Sequence, residues 1–171
     1  MDNAIVSQQQ GALLEQVLIG GDLSKLSAPD RVMYYKQVCE SVGLNPLTKP
    51  FEYITLNGKL TLYALRSCTE QLRQLHGVSV EIVEREVVED CYVVTARATD
   101  KTGRKDESIG AVPIKGLTGE ARSNALMKSE TKAKRRVTLS ICGLGWLDET
   151  EVGSIPGAGM SATPTAGYLA A

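Results

Sequence analysis

The dipeptide Asn57-Gly58, set between "FEYITL" and "KLTLYAL", constrains this chain more than any other feature. Both flanking runs are rich in β-branched and aromatic residues. Asn-Gly is the pair that best accepts the two positive φ angles of a type I′ turn, so a tight β-hairpin is predicted. In "SAPDRVMYYKQVCESVG" upstream, Ser27 suits an N-cap, Pro29 and Asp30 a first turn, and Gly43 a C-terminal stop. Val32, Tyr35, Val38, Cys39 and Val42 recur there at helical spacing, and Asn45-Pro46 and Lys49-Pro50 turn the chain extended. Earlier still, "ALLEQVLI" (12–19) reads as a short helix ended by Gly20-Gly21. After the hairpin, "RSCTEQLRQLHG" reads as a helix with Cys68, Leu72 and Leu75 on one face and Gly77 as its stop.

"VSVEIVERE", "DCYVVTARATD" and "ESIGAVP" alternate as strands, the last ended by Pro113, and "KTGRK" supplies a turn. "GLTGEA" then connects to a long helix that includes "ALMKSETKAKRRVTLS". The predicted fold is α+β: a β-hairpin and helix followed by a three-stranded antiparallel β-meander packed on a long basic helix. With 171 residues and 43% hydrophobic content, the chain can bury one real core. Residues 1–26 form a partly helical N-terminal segment, 27–152 the core domain, and 153–171 a Gly/Ala/Pro/Ser/Thr-rich tail read as disordered.

No apolar run approaches the roughly 20 residues of a membrane span. The N-terminus lacks a basic stretch leading into an apolar one, so a secretory signal is not expected. Cys39, Cys68, Cys91 and Cys142 are scattered without a C-x-x-C pair, beside one histidine. That pattern argues against zinc and for reduced thiols in a cytoplasmic setting.

Net charge is −1, but the charge is unevenly placed. Between Ala121 and Arg136 lie six of the 19 Lys and Arg residues (Arg122, Lys128, Lys132, Lys134, Arg135 and Arg136) and one of the 20 acids, Glu130. The chain is an acidic body with one basic segment. At roughly 100° per residue, Lys128, Lys132, Arg135 and Arg136 share an arc of about 100°, opposite Leu126, Ala133, Val137 and Ile141. Lys134 falls off that arc and sits four residues after Glu130, where a local ion pair accounts for it.

An amphipathic helix with a solvated basic face is the plain account of this stripe. Two details favour contact with a polyanion instead: the stripe lacks acidic partners, and its bases lie mid-helix rather than in the last turn, where the helix dipole would favour them. Arg66 and Arg73 lie seven apart on the second helix, so they share a face that either extends the basic surface or is simply solvated. Tyr63 on the hairpin and Trp146 after the long helix are candidates for base stacking, against the ordinary role of such aromatics in packing. Lys49 and Lys59 read as solvated.

Catalysis is not expected. His76 closes a helix, where capping carbonyls suits it, and no nucleophile–His–acid set is suggested. Clustered carboxylates in "DESIG" and "LDETE" are of the type that holds a metal in nucleases, but Asp106 and Glu107 sit by a tight turn and read as solvated. No G-x-x-x-x-G-K-[ST] loop is present, which argues against ATP-driven chemistry.

The long helix ends in "RRVTLSICGLGWLDETE", and "CESVGLNPLTKPFEYI" leads into the hairpin. Together these segments resemble the RecT/Redβ family of phage single-strand annealing proteins. Met127, Thr131 and Lys134 match that family's M-x-x-x-T-x-x-(K/R) helix pattern. The resemblance runs from about Ser27 to Glu151 and rests on the order and spacing of short motifs. It departs where family members often carry Asp-Gly after the hairpin and this chain has Tyr63-Ala64-Leu65. Larger members also carry a folded C-terminal module, where this chain has its low-complexity tail.

The resemblance implies an annealing-protein-like core, similar to that of eukaryotic annealing proteins. It implies a protein that pairs complementary single strands of DNA without ATP during phage homologous recombination, as an oligomeric ring or filament. No cofactor is implied, and Mg2+ is compatible but not required. Implied partners are single-stranded DNA, the annealed duplex intermediate, a phage exonuclease and a host single-strand-binding protein. The DNA-binding set would be Lys128, Lys132, Arg135, Arg136, Arg66, Arg73 and Arg122. Two other readings stand beside it. A double-stranded-RNA-binding adaptor also runs helix, three strands, helix with a basic last helix. A structural oligomer could set the basic stripe against an acidic surface of the next copy.

Overall fold

A computed structural model describes residues 19–147 without a break, and residues 11, 12, 15, 17, 149–152, 159 and 160 besides. Asn57 (φ 50°) and Gly58 (φ 75°) both take the left-handed conformation that the type I′ turn requires. They join β1 (Phe51–Leu56) to β2 (Lys59–Ala64), paired antiparallel from Phe51↔Ala64 to Leu56↔Lys59. The helix before them, α1 (Ala28–Ser41), begins where the capping signal put it, with the Asp30 amide donating to Ser27 Oγ. Gly43, at φ 70°, lies just past its end. After the hairpin comes α2 (Arg66–His76), ended by Gly77 in the left-handed conformation. The amides of Gly77 and Val78 both donate to the Arg73 carbonyl, so the cap is main-chain rather than the His76 ring.

Three strands follow, β3 (Ser79–Val88), β4 (Cys91–Thr99) and β5 (Lys105–Pro113), in the order β3-β4-β5 and antiparallel throughout. The fold is thus α+β, with a β-hairpin and a separate three-stranded antiparallel sheet. A bulge at Val83 interrupts β3 between Ile82 and Glu84. The last long element is α3 (Gly119–Ile141, 23 residues), followed by the single turn α4 (Glu149–Val152). The expected helix over 12–19 lies partly outside the described residues. Within the expected tail, Gly159–Met160 forms a short strand, β6, pairing with β1 at Ile54 and Thr55. Among the described residues, no helix is long and apolar enough to cross a membrane.

Helix α3 lies between two layers. One side packs on the meander, where Ala133, Val137 and Ile141 meet Val78, Val94, Ala96 and Ala98. From the other side Leu139 enters the core formed by Cys39 of α1, Phe51, Leu62 and Ala64 of the hairpin, and Cys68 and Leu72 of α2. The hairpin's reverse face closes a third cluster, with Ile54 and Tyr63 against Val152 of α4. The approach of α3 to β5 is extremely close. A Cβ added at Gly110 would lie 2.2 Å from the Ser129 carbonyl oxygen and 2.5 Å from the Ala133 nitrogen. A glycine therefore permits the contact, and small residues on the helix (Ala125, Ser129, Ala133) present the matching surface.

Several apolar residues expected inside are not. Val32 is 58% and Leu75 50% exposed, and Leu126 is only half-buried. In α1 the buried arc is turned toward the tyrosines. The Tyr35 hydroxyl donates to the Phe51 carbonyl and accepts from the Phe51 amide, and the Tyr53 hydroxyl donates to the Arg31 carbonyl.

The Gly110 contact generates a paired test. Gly110→Ala forces α3 off the sheet and should cost about 1–3 kcal/mol or more, as overpacking does. This would appear as a lower urea midpoint at unchanged slope. Gly145→Ala places its Cβ where nothing lies within 4 Å and should leave the midpoint in place.

Candidate nucleic-acid interface

Because its small face is spent on the sheet, α3 turns its long basic side chains outward. Lys128 and Arg136 are exposed, while Lys132, Lys134 and Arg135 are half-buried. The stripe expected as one surface is divided by its neighbours. Arg135 turns toward α2 and joins Arg66, Arg73 and Lys134 around a groove of about 290 Å³ between the two helices. Thr69, Thr131 and Glu70 complete its lining, so four cations stand against one carboxylate. Arg136 instead lines a second cleft of about 310 Å³, between the C-terminal end of α3, Ser108 of β5 and residues 144–147.

Lys132 lies over β5, its Cβ 2.9 Å from where a Gly110 side chain would begin. Lys128, Lys132 and Arg136 recur every fourth residue, forming a row with steps of about 6 Å along the helix. Arg122 is exposed in the first turns of α3, thirteen residues before Arg135 and hence about 20 Å from it along the axis. The structure does not bring Arg122 to the groove. Arg66 and Arg73, by contrast, come to Arg135 from a helix remote in sequence.

The groove's charges are partly committed. The Arg66 guanidinium donates to Glu70 at 2.6 Å, one turn along the same helix. Lys134 pairs with Glu130 at 2.6 Å, as its spacing indicated, yet it also lines the groove, where sequence alone set it aside. Arg85 of β3 reaches Glu130 at 3.2 Å. Hydrogen bonding from Lys134, assisted by Arg85, holds the Glu130 carboxyl below the usual glutamate range. The Thr69 and Thr131 hydroxyls donate to the Arg66 and Met127 carbonyls. A bound anion in the groove would therefore be held by charged groups rather than by these hydroxyls.

Two expected residues sit elsewhere. Tyr63 is 3% exposed, packed between Ile54 and Val152, and has no face open for a base. Both faces of the hairpin are covered, which a strand's alternation cannot reveal. Trp146 packs edge-on to Phe51, with ring centroids 4.5 Å apart, and lines the Arg136 cleft. Lys49 pairs with Glu52 at 2.8 Å, and Lys59 donates to the Gly20 carbonyl. Asp106 and Glu107 are engaged rather than merely solvated. Asp106 accepts from the Ser140 hydroxyl on the α3 side, and Glu107 pairs at 2.7 Å with Arg97, which also reaches Glu81 at 3.3 Å. Adjacent strand residues face opposite ways, so these two carboxylates do not converge on one site.

Electrostatically the meander has two unlike sides. Glu81, Glu84, Glu86 and Glu107 share the face turned away from α3, as their registers with Arg97, Thr95 and Val93 require. The basic groove and row lie on the other side.

No protein-family model matches the chain, and no curated protein matches it.

The Glu130 bridge gives a pH-dependent outcome. A carboxylate with a lowered folded-state pKa contributes stability that is present above its unfolded pKa and lost as pH falls through the folded one. Glu130→Gln should therefore lower stability at about pH 7 by under ~1 kcal/mol, as befits a partly exposed pair. Near pH 2 the variant and parent should coincide. Thermal melts at both pH values measure the difference.

Proposed function

We propose that this chain binds single-stranded DNA along α3 and pairs complementary strands without ATP, as a non-enzymatic annealing protein. The observation that carries the reading is the α2–α3 groove, where Arg66 and Arg73 meet Lys134 and Arg135 around a single carboxylate. A groove of that charge suits a phosphate chain, whose condensed counterions are released as lysines and arginines replace them. Contacts to phosphate fix position without reading sequence, which an annealer requires, since bases must stay free to sample partners. Lys128 and Lys132 extend the cationic surface along the same helix.

The motif order from Ser27 to Glu151 supports placing the chain near the RecT/Redβ proteins. On that reading the hairpin, meander and α3 form an annealing-protein-like core that works as a ring or filament in phage recombination. A phage exonuclease and a host single-strand-binding protein are its proposed partners. Coating of a strand by successive copies would set the grooves end to end.

Dye-labelled complementary oligonucleotides mixed with the protein in the absence of ATP should pair faster than they do alone. No acceleration would remove the annealing activity, and a preference for duplex RNA over single strands would favour an adaptor instead. Arg73→Ala with Arg135→Ala should weaken oligonucleotide binding at low salt. It should also flatten the slope of log affinity against log salt by about 1.4, near 0.7 for each single-strand phosphate deprived of its cation. An unchanged slope in a folded double variant would take the groove out of the phosphate path.

A further inference from the structure

The cleft on the other side of α3 has a different chemistry from the groove. Four of its eight lining residues are apolar: Leu139 is buried, and Leu144, Trp146 and Leu147 are half-buried. Its polar side chains are Ser108, Arg136 and Ser140. Arg136 contributes a planar guanidinium, and the Ser140 hydroxyl has its proton directed at Asp106, which leaves the oxygen as an acceptor. A slot that sets an indole and three leucines beside a guanidinium and two hydroxyls, at the lower end of the size range of small-molecule sites, offers a flat heteroaromatic ring both a packing surface and edge partners. The edge-on contact with Phe51 holds the Trp146 ring in place, so little side-chain freedom remains to be lost when a ligand arrives.

Lys128, Lys132 and Arg136 lead directly to this cleft. Their row runs along α3 at a step comparable to the separation of successive phosphates in an extended strand, and Arg136 stands both at its end and at the cleft. Resting on the nucleic-acid reading above, we infer that this cleft receives one unstacked nucleobase from a strand whose phosphates lie on that row. The base enters against Trp146 and Leu144, with the Arg136 guanidinium over its plane or at its edge. A base in a duplex must be unpaired and unstacked before it can enter, whereas a single strand supplies one at little cost. The cleft thereby selects single strands, which the charged groove alone does not.

Trp146 is the only tryptophan in the chain, so its emission reports on the cleft alone. The full-length protein is titrated with oligothymidylate and with an abasic deoxyribose-phosphate strand of equal length, and binding is followed independently by anisotropy. Oligothymidylate should quench Trp146 and bind about five- to a hundredfold more tightly than the abasic strand, which should bind without quenching. Gly145→Leu fills the mouth of the cleft from a position whose Cβ meets nothing within 4 Å. It should bring oligothymidylate down to the abasic affinity while the melting curve stays in place. Unchanged Trp146 emission with oligothymidylate bound, or equal affinities for the two strands, would overturn the base site and leave the phosphate groove standing. Absence of anisotropy change with either strand would remove the nucleic-acid reading itself, and this cleft with it.

Discussion

Everything on the outer side of α3 depends on how close its inner side comes to β5. At Gly110 the helix backbone occupies the space a side chain would need. Ser129 is fully buried at this point, with its hydroxyl 2.7 Å from the Gly110 carbonyl and 3.0 Å from that of Tyr92. One hydroxyl proton serves two strands, so the contact is polar as well as tight, and it fixes the helix both in height and in rotation. A helix seated higher would pull Leu139 from the hairpin core and change the depth of the groove beside Arg135. Gly110, Ser129 and Ala133 thus determine where the charged residues of α3 stand.

The sequence made the local features plain and left the tertiary ones hidden. Asn57-Gly58 and Ser27 work through their own φ angles and hydrogen bonds, so their elements could be read without knowing what packs on them. The basic face of α3 was likewise visible by angle. Its inner face was legible in part: Ala133, Val137 and Ile141 pack on the sheet as their angle indicated, whereas the closest contact depends on small size rather than apolarity. Leu126 looks like core and is half-buried, whereas Ser129 is polar and completely enclosed. The division of the stripe was invisible for a similar reason. Whether Arg135 and Arg136 face one surface or two depends on α2 and on residues 144–147, which reach α3 only in three dimensions. For Tyr63 the packing alternative is the one the structure shows, because a four-residue turn, α4, covers the hairpin face that alternation would leave open.

The separation of charge across the meander also follows from this arrangement. With α3 against one face, the four glutamates lie on the opposite face of the sheet from the basic row. Arg97 neutralises part of that acidic face by bridging Glu81 and Glu107. A polyanion approaching the molecule is repelled from one side and drawn to the other, and the pull weakens as salt is added. A chain with a net charge of −1 can thus still present a positive surface.

The position of α3 in the order of elements bears on how the molecule comes to be assembled. The hairpin layer and the meander are each built from neighbours in sequence, yet both cores are completed by the same late helix, through Leu139 on one side and Val137 on the other. During vectorial synthesis neither layer can close until the ribosome has delivered the far end of α3. Up to that moment the nascent chain carries two half-built cores side by side. The helix proposed to grip a strand in the finished protein is therefore also the piece whose arrival turns two fragments into one cooperative body.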